Sequence, residues 1–197
     1  TTPASYVLDG GIGAATAATL TPGSLPFSVD VTFGALMDTN VVYCLSVTDV
    51  KDCPGNVIAT PNSVCFGIAD QVAQGDLIIN EILYNPYTGG SDYVELYNKS
   101  NKIVDISEVW IGEVYPGTDS IFNGKRCSTT PRILLPHAYI CLTADKAHQL
   151  ITYLPIDPDA IVEMSSFPSY DDDEGECIIY RDSATVLDRL HYLDDWA

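Results

Sequence analysis

The run Asp92-Tyr93-Val94-Glu95-Leu96-Tyr97-Asn98 decides the fold of this 197-residue chain. Val94 and Leu96 fall on one side of an extended backbone, and Tyr93, Glu95 and Tyr97 fall on the other. That period of two belongs to a half-buried strand, because successive Cβ atoms of a strand point to opposite faces. Just upstream, Asp76 to Tyr84 (Asp-Leu-Ile-Ile-Asn-Glu-Ile-Leu-Tyr) is a second extended and strongly apolar segment. Between the two, Asn85-Pro86 and Gly89-Gly90 supply turn chemistry, since Pro presets φ and Gly tolerates positive φ. The pair is therefore predicted to form a hairpin.

The pattern continues in both directions. Residues 103–106, 109–111, 133–135, 138–142, 177–180, 185–187 and 189–192 read as further short strands, with Trp110 as a core anchor because of its large apolar area. Residues 115–131, rich in Gly, Ser, Thr and Pro, read as a long loop. One helix is predicted over 145–154, where Ala147, Leu150, Ile151 and Leu154 recur at i, i+3, i+4, i+7; Thr143 or Asp145 caps it and Pro155 stops it. Upstream, residues 27–33 alternate, with Phe27, Val29, Val31 and Phe33 on one face. Strands also fit 41–48, 63–68 and 6–8, and Asp52-Cys53-Pro54-Gly55-Asn56 reads as a turn. Gly10-Gly11-Ile12-Gly13 reads as a loop, without the spacing of a dinucleotide fingerprint. The chain is thus expected to be all-β, in two sandwiches covering 1–75 and 76–197, joined at Gln74-Gly75-Asp76. Strands are few in the first module, which is expected to lack an N-terminal one.

Charge narrows the function. Nine Lys+Arg stand against 27 Asp+Glu, a formal net charge of −18. Such a surface repels phosphate backbones and anionic lipid, so nucleic acid is not an expected partner. No apolar run reaches the roughly 18 residues of a membrane span, so no membrane insertion is expected. The acids concentrate in the second half: residues 1–75 carry six acids and one base, net −5, and residues 76–197 carry 21 acids and eight bases, net −13. The cysteines are Cys44, Cys53, Cys65, Cys127, Cys141 and Cys177, three in each half. None forms a CxxC pair, which argues against zinc. Disulfides outside the cytoplasm and buried free thiols both fit them.

The ordered set Ile79-Asn80-Glu81-Ile82-Leu83-Tyr84-Asn85-Pro86, Val94-Glu95-Leu96-Tyr97-Asn98-Lys99-Ser100, Trp110-Ile111 and Leu135-Pro136-His137-Ala138-Tyr139 resembles the lamin-tail domain, over about 76–197. Phe167-Pro168, Gly175, Leu187-Asp188 and Tyr192 fit its closing strands. His137 stands where that family usually has Gly. The first half, through Tyr43-Cys44-Leu45-Ser46-Val47 and the Asp52-to-Asn56 turn, is similar to bacterial Ig-like domains of the surface-layer type. Together the resemblances imply two tandem immunoglobulin-like β-sandwiches from a secreted or cell-surface multidomain protein of Bacteroidetes-type bacteria. They imply a non-catalytic role, spacing or docking other domains of the parent protein or a surface protein or glycan; the chain is expected to be a monomer. They bring no catalytic residues and no cofactor.

Two groups of residues are candidates for binding. Asp171, Asp172, Asp173, Glu174 and Glu176 cluster in one segment, and grouped carboxylates can supply hard oxygen ligands to calcium. Gly175 falls at position 5, not 6, so the EF-hand pattern fails, and a solvated, self-repelling loop is the competing account. Tyr84, Tyr87, Tyr93 and Tyr97 gather on the first hairpin of the second module, where they can meet a carbohydrate or a protein, or pack against a neighbouring module. Glu81 and Glu95 lie on strands expected to pair, but no cleft accompanies them to make a glycosidase. His137, His148 and His191 lack any nucleophile motif. A calcium- or carbohydrate-binding accessory module of an extracellular hydrolase is the alternative function.

Overall fold

The computed structural model describes residues 2–21, 23, 28–52, 54–115, 117–153, 157–182 and 185–194. Among the described residues the fold is all-β apart from one α-helix and three short 3₁₀ turns. It divides into two compact units, Thr1–Ile68 and Ala69–Ala197.

Unit 1 holds β1 (Tyr6–Leu8), β2 (Gly13–Ala14), β3 (Ala17–Leu20), β4 (Val29–Thr32), β5 (Tyr43–Val47) and β6 (Ser63–Phe66). They form a four-stranded sheet, β2-β1-β5-β6, and a β3-β4 ribbon. The alternation read in 27–33 appears in β4, where Val29 and Val31 are half-buried and Asp30 and Thr32 exposed; Phe27 lies outside the described residues. β2 and β3 arise from mostly small residues with no apolar alternation, which is why they do not read as strands. Its buried apolar side chains include Tyr6, Leu8, Ala15 and Tyr43. Tyr43 fills this small core by packing on Gly10, where φ is +64° and a Cβ would sit 2.7 Å from the ring. A side chain at Gly10 would meet both the ring and an unfavourable backbone. Cys44 and Cys65 face each other across β5 and β6 and form a disulfide. The Asp52 turn forms as its residues suggest: Oδ1 accepts from the Gly55 and Asn56 amides at 2.8 and 2.7 Å. The Asn56 side-chain amide and these backbone donors hold the Asp52 carboxyl below its usual range.

Unit 2 holds β7 (Leu77–Leu83), β8 (Tyr93–Asn98), β9 (Val104–Asp105), β10 (Trp110–Val114), β11 (Ile121–Arg126), β12 (Ile133–Leu134), β13 (Tyr139–Thr143), α1 (Lys146–Thr152), β14 (Ile161–Glu163), β15 (Gly175–Tyr180) and β16 (Val186–Tyr192). One sheet runs β14-β13-β8-β7, the other β11-β10-β15-β16, and β12-β9 is a short pair beside them. The core gathers the inward residues of both sheets, among them Leu77, Val94, Leu96 and Leu142 from the first and Ile111, Cys177, Ile179 and Leu187 from the second. Residues 69–76 belong to this unit: Val72 is buried in its core, and the Gly75 amide donates to Leu187 O at 3.2 Å. The segment read as a joint is therefore tied down by backbone hydrogen bonds despite its Gly.

Three expectations change here. The stretch 115–131 is not all loop, because 121–126 forms β11. Asn123, at φ 51°, and Gly124 sit opposite Gly112 in a bulge, where two residues of one strand face one of the next. Asn-Gly usually marks a turn, and a bulge uses the same backbone freedom inside a strand. Trp110 is half-buried on the face away from the core, with its ring beside Tyr180 and under the Arg126 guanidinium; Ile111 takes the inward position. The helix stripe is rotated. Ile151 is 78% exposed, while Gln149 is buried and donates to Ser91 O at 3.2 Å. Leu154 and Pro155 lie outside the described residues, and Asp145 caps the helix by accepting from the His148 amide at 2.8 Å. β14, for which the sequence raised no expectation, runs parallel to β13, with α1 as the crossover that a parallel pair requires.

Candidate interaction face

The alternation of β8 buries Val94, Leu96 and Asn98 and turns Tyr93, Glu95 and Tyr97 outward. The ladders fix their neighbours. Tyr97 lies between Ile78 of β7 and Tyr139 of β13, Glu95 between Glu81 and Cys141, and Tyr93 between Leu83 and Thr143. The result is a face with an aromatic row at one end and a carboxylate pair in the middle.

Tyr97 stacks on Tyr139 with ring centroids 4.5 Å apart and planes 26° apart, and Tyr139 stays 48% exposed. His137 lies alongside, its Nδ1 3.4 Å from the Tyr97 hydroxyl and its Nε2 3.1 Å from Asn101 Oδ1. His137 has φ 60° in the turn where the Ala138 amide donates to Leu135 O. With Pro136 before it, this is a position that favours Gly, which accounts for the glycine usual there in the family it resembles. At the other end Tyr93 meets Tyr153 edge-on at 5.7 Å.

Glu81 and Glu95 are direct cross-strand partners, an arrangement that costs stability unless each carboxylate has a donor. Each has one. The Tyr93 hydroxyl donates to Glu81 Oε1 at 2.5 Å, and Asn80, the extra residue of a bulge in β7, donates to Glu95 Oε1 at 2.8 Å. Burial, aided by the neighbouring Glu81, raises the Tyr93 phenol above its ordinary range. Burial first, then Glu95 and Glu81, pushes the Cys141 thiol up to about 12. Cys141 is therefore protonated at neutral pH and a weak nucleophile.

Beneath the face, the Asn98 amide donates to the carbonyls of Lys102, Leu134 and Leu135 at 2.8, 3.2 and 3.0 Å. Its Oδ1 accepts from the Ser100 amide and hydroxyl at 3.1 and 2.7 Å. Asn98 thereby joins the end of β8 to the strands on either side. Val94, Leu96, Asn98 and Ser100 thus work as a unit: two apolar residues fill the core and the polar pair closes the corner. The chain belongs to the lamin-tail domain family. The family model matches residues 70–194. No curated protein and no solved structure matches the chain. The lamin-tail domain is a non-enzymatic Ig-like fold, and the two-sheet architecture of 69–197 accords with it.

The other residues singled out in the sequence are scattered over this lamin-tail domain. Tyr84 is a correction: it is 4% exposed, stacks on Tyr192 at 4.2 Å and donates to Leu193 O at 2.6 Å, so it is core and not binding surface. Its place at the end of an apolar strand draws it inward. Tyr87 is 96% exposed in the β7–β8 turn. Tyr139, which sequence reading passed over as a plain strand residue, completes the aromatic pair; its signal was the register between β8 and β13. Of the acidic segment, Asp171, Asp172, Asp173 and Glu174 are exposed, and Glu176 is held by Arg189 at 2.5 Å. Among the described residues, no three His, Cys, Asp or Glu side chains converge to hold a metal ion. His148 lies 3.2 Å from Thr152 Oγ1, and His191 is exposed opposite Glu176 on β15. Among the described residues, no helix is long and apolar enough to cross a membrane.

Asp92, at the start of β8, carries a pH dependence. Burial, and secondarily the charge of Asp172, pushes its carboxyl up to about 6. The folded state therefore holds this proton more tightly than the unfolded chain does. The resulting stability is fully present below about pH 4 and is lost as pH rises through about 6. Asp92→Asn is expected to raise the melting temperature by about 3 °C at pH 8, after discounting for the half of the group that faces water, and to leave it unchanged at pH 4. Melting curves of both proteins at the two pH values check this, and an equal gain at both would remove the ionisation as its cause.

Proposed function

We infer that the chain is a non-catalytic structural or interaction region of a secreted or cell-surface multidomain protein, and that it docks a surface ligand through the outer face of β7, β8 and β13. The observation that carries this is the stacked Tyr97–Tyr139 pair. It presents apolar area with polar tips beside carboxylates already oriented by Tyr93 and Asn80. The Cys44–Cys65 disulfide supports an oxidising compartment. The −18 net charge supports a partner that is neither nucleic acid nor an anionic membrane. Unit 1 is read as a bacterial Ig-like spacer, on the resemblance of its β5 strand and the Asp52 turn. Within this reading a carbohydrate is the favoured ligand, since stacked rings flanked by acceptors suit sugar faces and hydroxyls.

Affinity electrophoresis through soluble plant, algal and bacterial-wall polysaccharides tests the reading, together with an esterase, nuclease and glycosidase screen. One polysaccharide is expected to retard the protein at least about tenfold more weakly once Tyr97→Ala and Tyr139→Ala are introduced together, as loss of central aromatic anchors does. Retardation unchanged in that variant, or turnover in the screen, would overturn it.

A further inference from the structure

Basic residues of this acidic protein gather at one place. Acids outnumber bases 27 to nine, so a cation should readily find a carboxylate. The ion pairs among the described residues use Lys102, Arg181 and Arg189. Arg126, Arg132 and Lys146, a third of all the basic residues, instead line a single cavity of about 480 Å³ in unit 2. None of the three appears in an ion pair there.

Each is held in place by a neutral group. The Arg126 guanidinium lies over the Trp110 ring, 5.6 Å from its centroid. Arg132 donates to the Asp159 carbonyl. Lys146 Nζ donates to the carbonyls of Pro158 and Ile161 at 2.6 and 3.3 Å. Carbonyls and a π face position a cation without cancelling its charge. The rest of the lining is rich in hydroxyls, including Thr129, Thr130, Ser165 and Ser166. One carboxylate also lines it, Glu163, which accepts from the Lys146 backbone amide at 3.3 Å.

We propose that this cavity binds a sugar bearing a tetrahedral oxyanion, as a sulfate or phosphate ester. Guanidinium groups match oxyanions through paired, charge-assisted donors, and Lys146 adds a point charge. The cavity has the size of a small-molecule site and is larger than a bare oxyanion needs. The hydroxyls and Glu163 are suited to the hydroxylated remainder of the ligand, with Glu163 accepting from sugar hydroxyls. A bare anion would leave that carboxylate as pure repulsion. The proposal does not depend on the tyrosine face, which lies on β7, β8 and β13 and shares no residue with this lining.

The test is titration of the ¹⁵N-labelled protein with glucose 6-sulfate, glucose 6-phosphate and glucose, followed by amide shifts. At least one ester is expected to give saturable shifts in 126–132 and 161–166 with a dissociation constant on the order of 1 mM, and glucose none. The ester that saturates at the lower concentration identifies the source of the oxyanion. Arg132→Gln is expected to weaken binding about tenfold or more. Because Arg132 also holds the turn at Asp159, Ser166→Glu serves as a second variant: it places a charge in the lining at an exposed position, and should abolish binding without lowering the melting temperature. Absence of saturation with both esters, equal binding of glucose, or an unchanged constant in Ser166→Glu would overturn the proposal. Tyr97→Ala with Tyr139→Ala should leave this constant unchanged, so the two sites fail separately.

Discussion

Asn98→Ala is expected to destabilise unit 2 by about 3–4 kcal/mol and to lower its melting temperature by about 10–15 °C. Asn98 is 0% exposed, and its amide serves the carbonyls of Lys102, Leu134 and Leu135 while its oxygen receives both donors of Ser100. Removing the side chain takes a donor from the Lys102 and Leu134 carbonyls in a place water reaches poorly, while Leu135 O keeps the Ala138 amide, and each unpaired buried group costs about 1–3 kcal/mol. The fully buried Leu134 contact contributes most, because the groups around Lys102 and Leu135 are only part-buried and can turn to solvent. Asn98→Asp discriminates between volume and donation. It keeps the shape and the acceptor for Ser100, but loses the donor and buries a charge, so it should be at least as damaging as Ala. Ser100→Ala, which deletes one hydroxyl, should cost about 1 kcal/mol. Thermal melts of the three variants followed by circular dichroism check the order. A shift below about 3 °C for Asn98→Ala would show that the corner is held by the ladders alone.

The same residue shows what the sequence made legible. Alternation placed Val94 and Leu96 inside and Tyr93, Glu95 and Tyr97 outside, because a strand with one wet face writes its geometry into every second residue. Asn98 continues the inward series, and a polar side chain at an inward position was a signal of a buried hydrogen-bond hub. The β7–β8 hairpin, β13 and β15 were readable for the same reason. Where the period is broken, reading failed. β11 contains Asn123-Gly124, which serve a bulge; β14 has three residues and owes its position to a parallel pairing that only the folded chain reveals. Trp110 was placed inside on area alone, yet its neighbours Tyr180 and Arg126 build a surface stack. The helix stripe was misjudged because α1 has seven residues, so its orientation follows the buried Gln149 hydrogen bond to Ser91 more than a short apolar run.

Candidate sites were harder to read because they depend on register. Tyr97 and Tyr139 are 42 positions apart in sequence and become partners only through the β8–β13 ladder. Arg126, Arg132 and Lys146 sit on three different elements or loops, and nothing in their spacing marks them as a group. Local clustering misled in the opposite direction. Tyr84 and Tyr87 are close in sequence to Tyr93, yet one is in the core and the other in an exposed turn. Asp171 to Glu176 form a run of acids, but Glu176 is already engaged by Arg189.

Reduction of the Cys44–Cys65 disulfide is expected to unfold unit 1 while leaving unit 2 folded. The two cysteines are separated by 21 positions, and releasing a loop of that length returns entropy to the unfolded chain worth about 3 kcal/mol. Unit 1 spans 68 residues and, among the described residues, its buried apolar side chains are small in number, with Tyr6, Leu8 and Tyr43 the larger ones, so that sum is comparable to its whole stability. In unit 2 Cys127 and Cys177 are buried free thiols, and burial pushes Cys177 up to about 12. A reductant therefore has nothing to cleave among them, and the larger core is retained. Hydrogen exchange at 25 °C with and without dithiothreitol reads both units at once. Amides of 43–47 and 63–66 should lose protection on reduction, and those of 93–98, 110–114 and 175–180 should keep it. Cys44→Ser with Cys65→Ser should reproduce the effect without reductant, which separates loss of the cross-link from any action of the thiol reagent. Persisting protection in 43–47 would mean that the Tyr43–Gly10 packing and the Asp52 turn suffice to hold the sheet. Protection lost throughout would mean that the lamin-tail domain draws stability from unit 1, and that the two units unfold together.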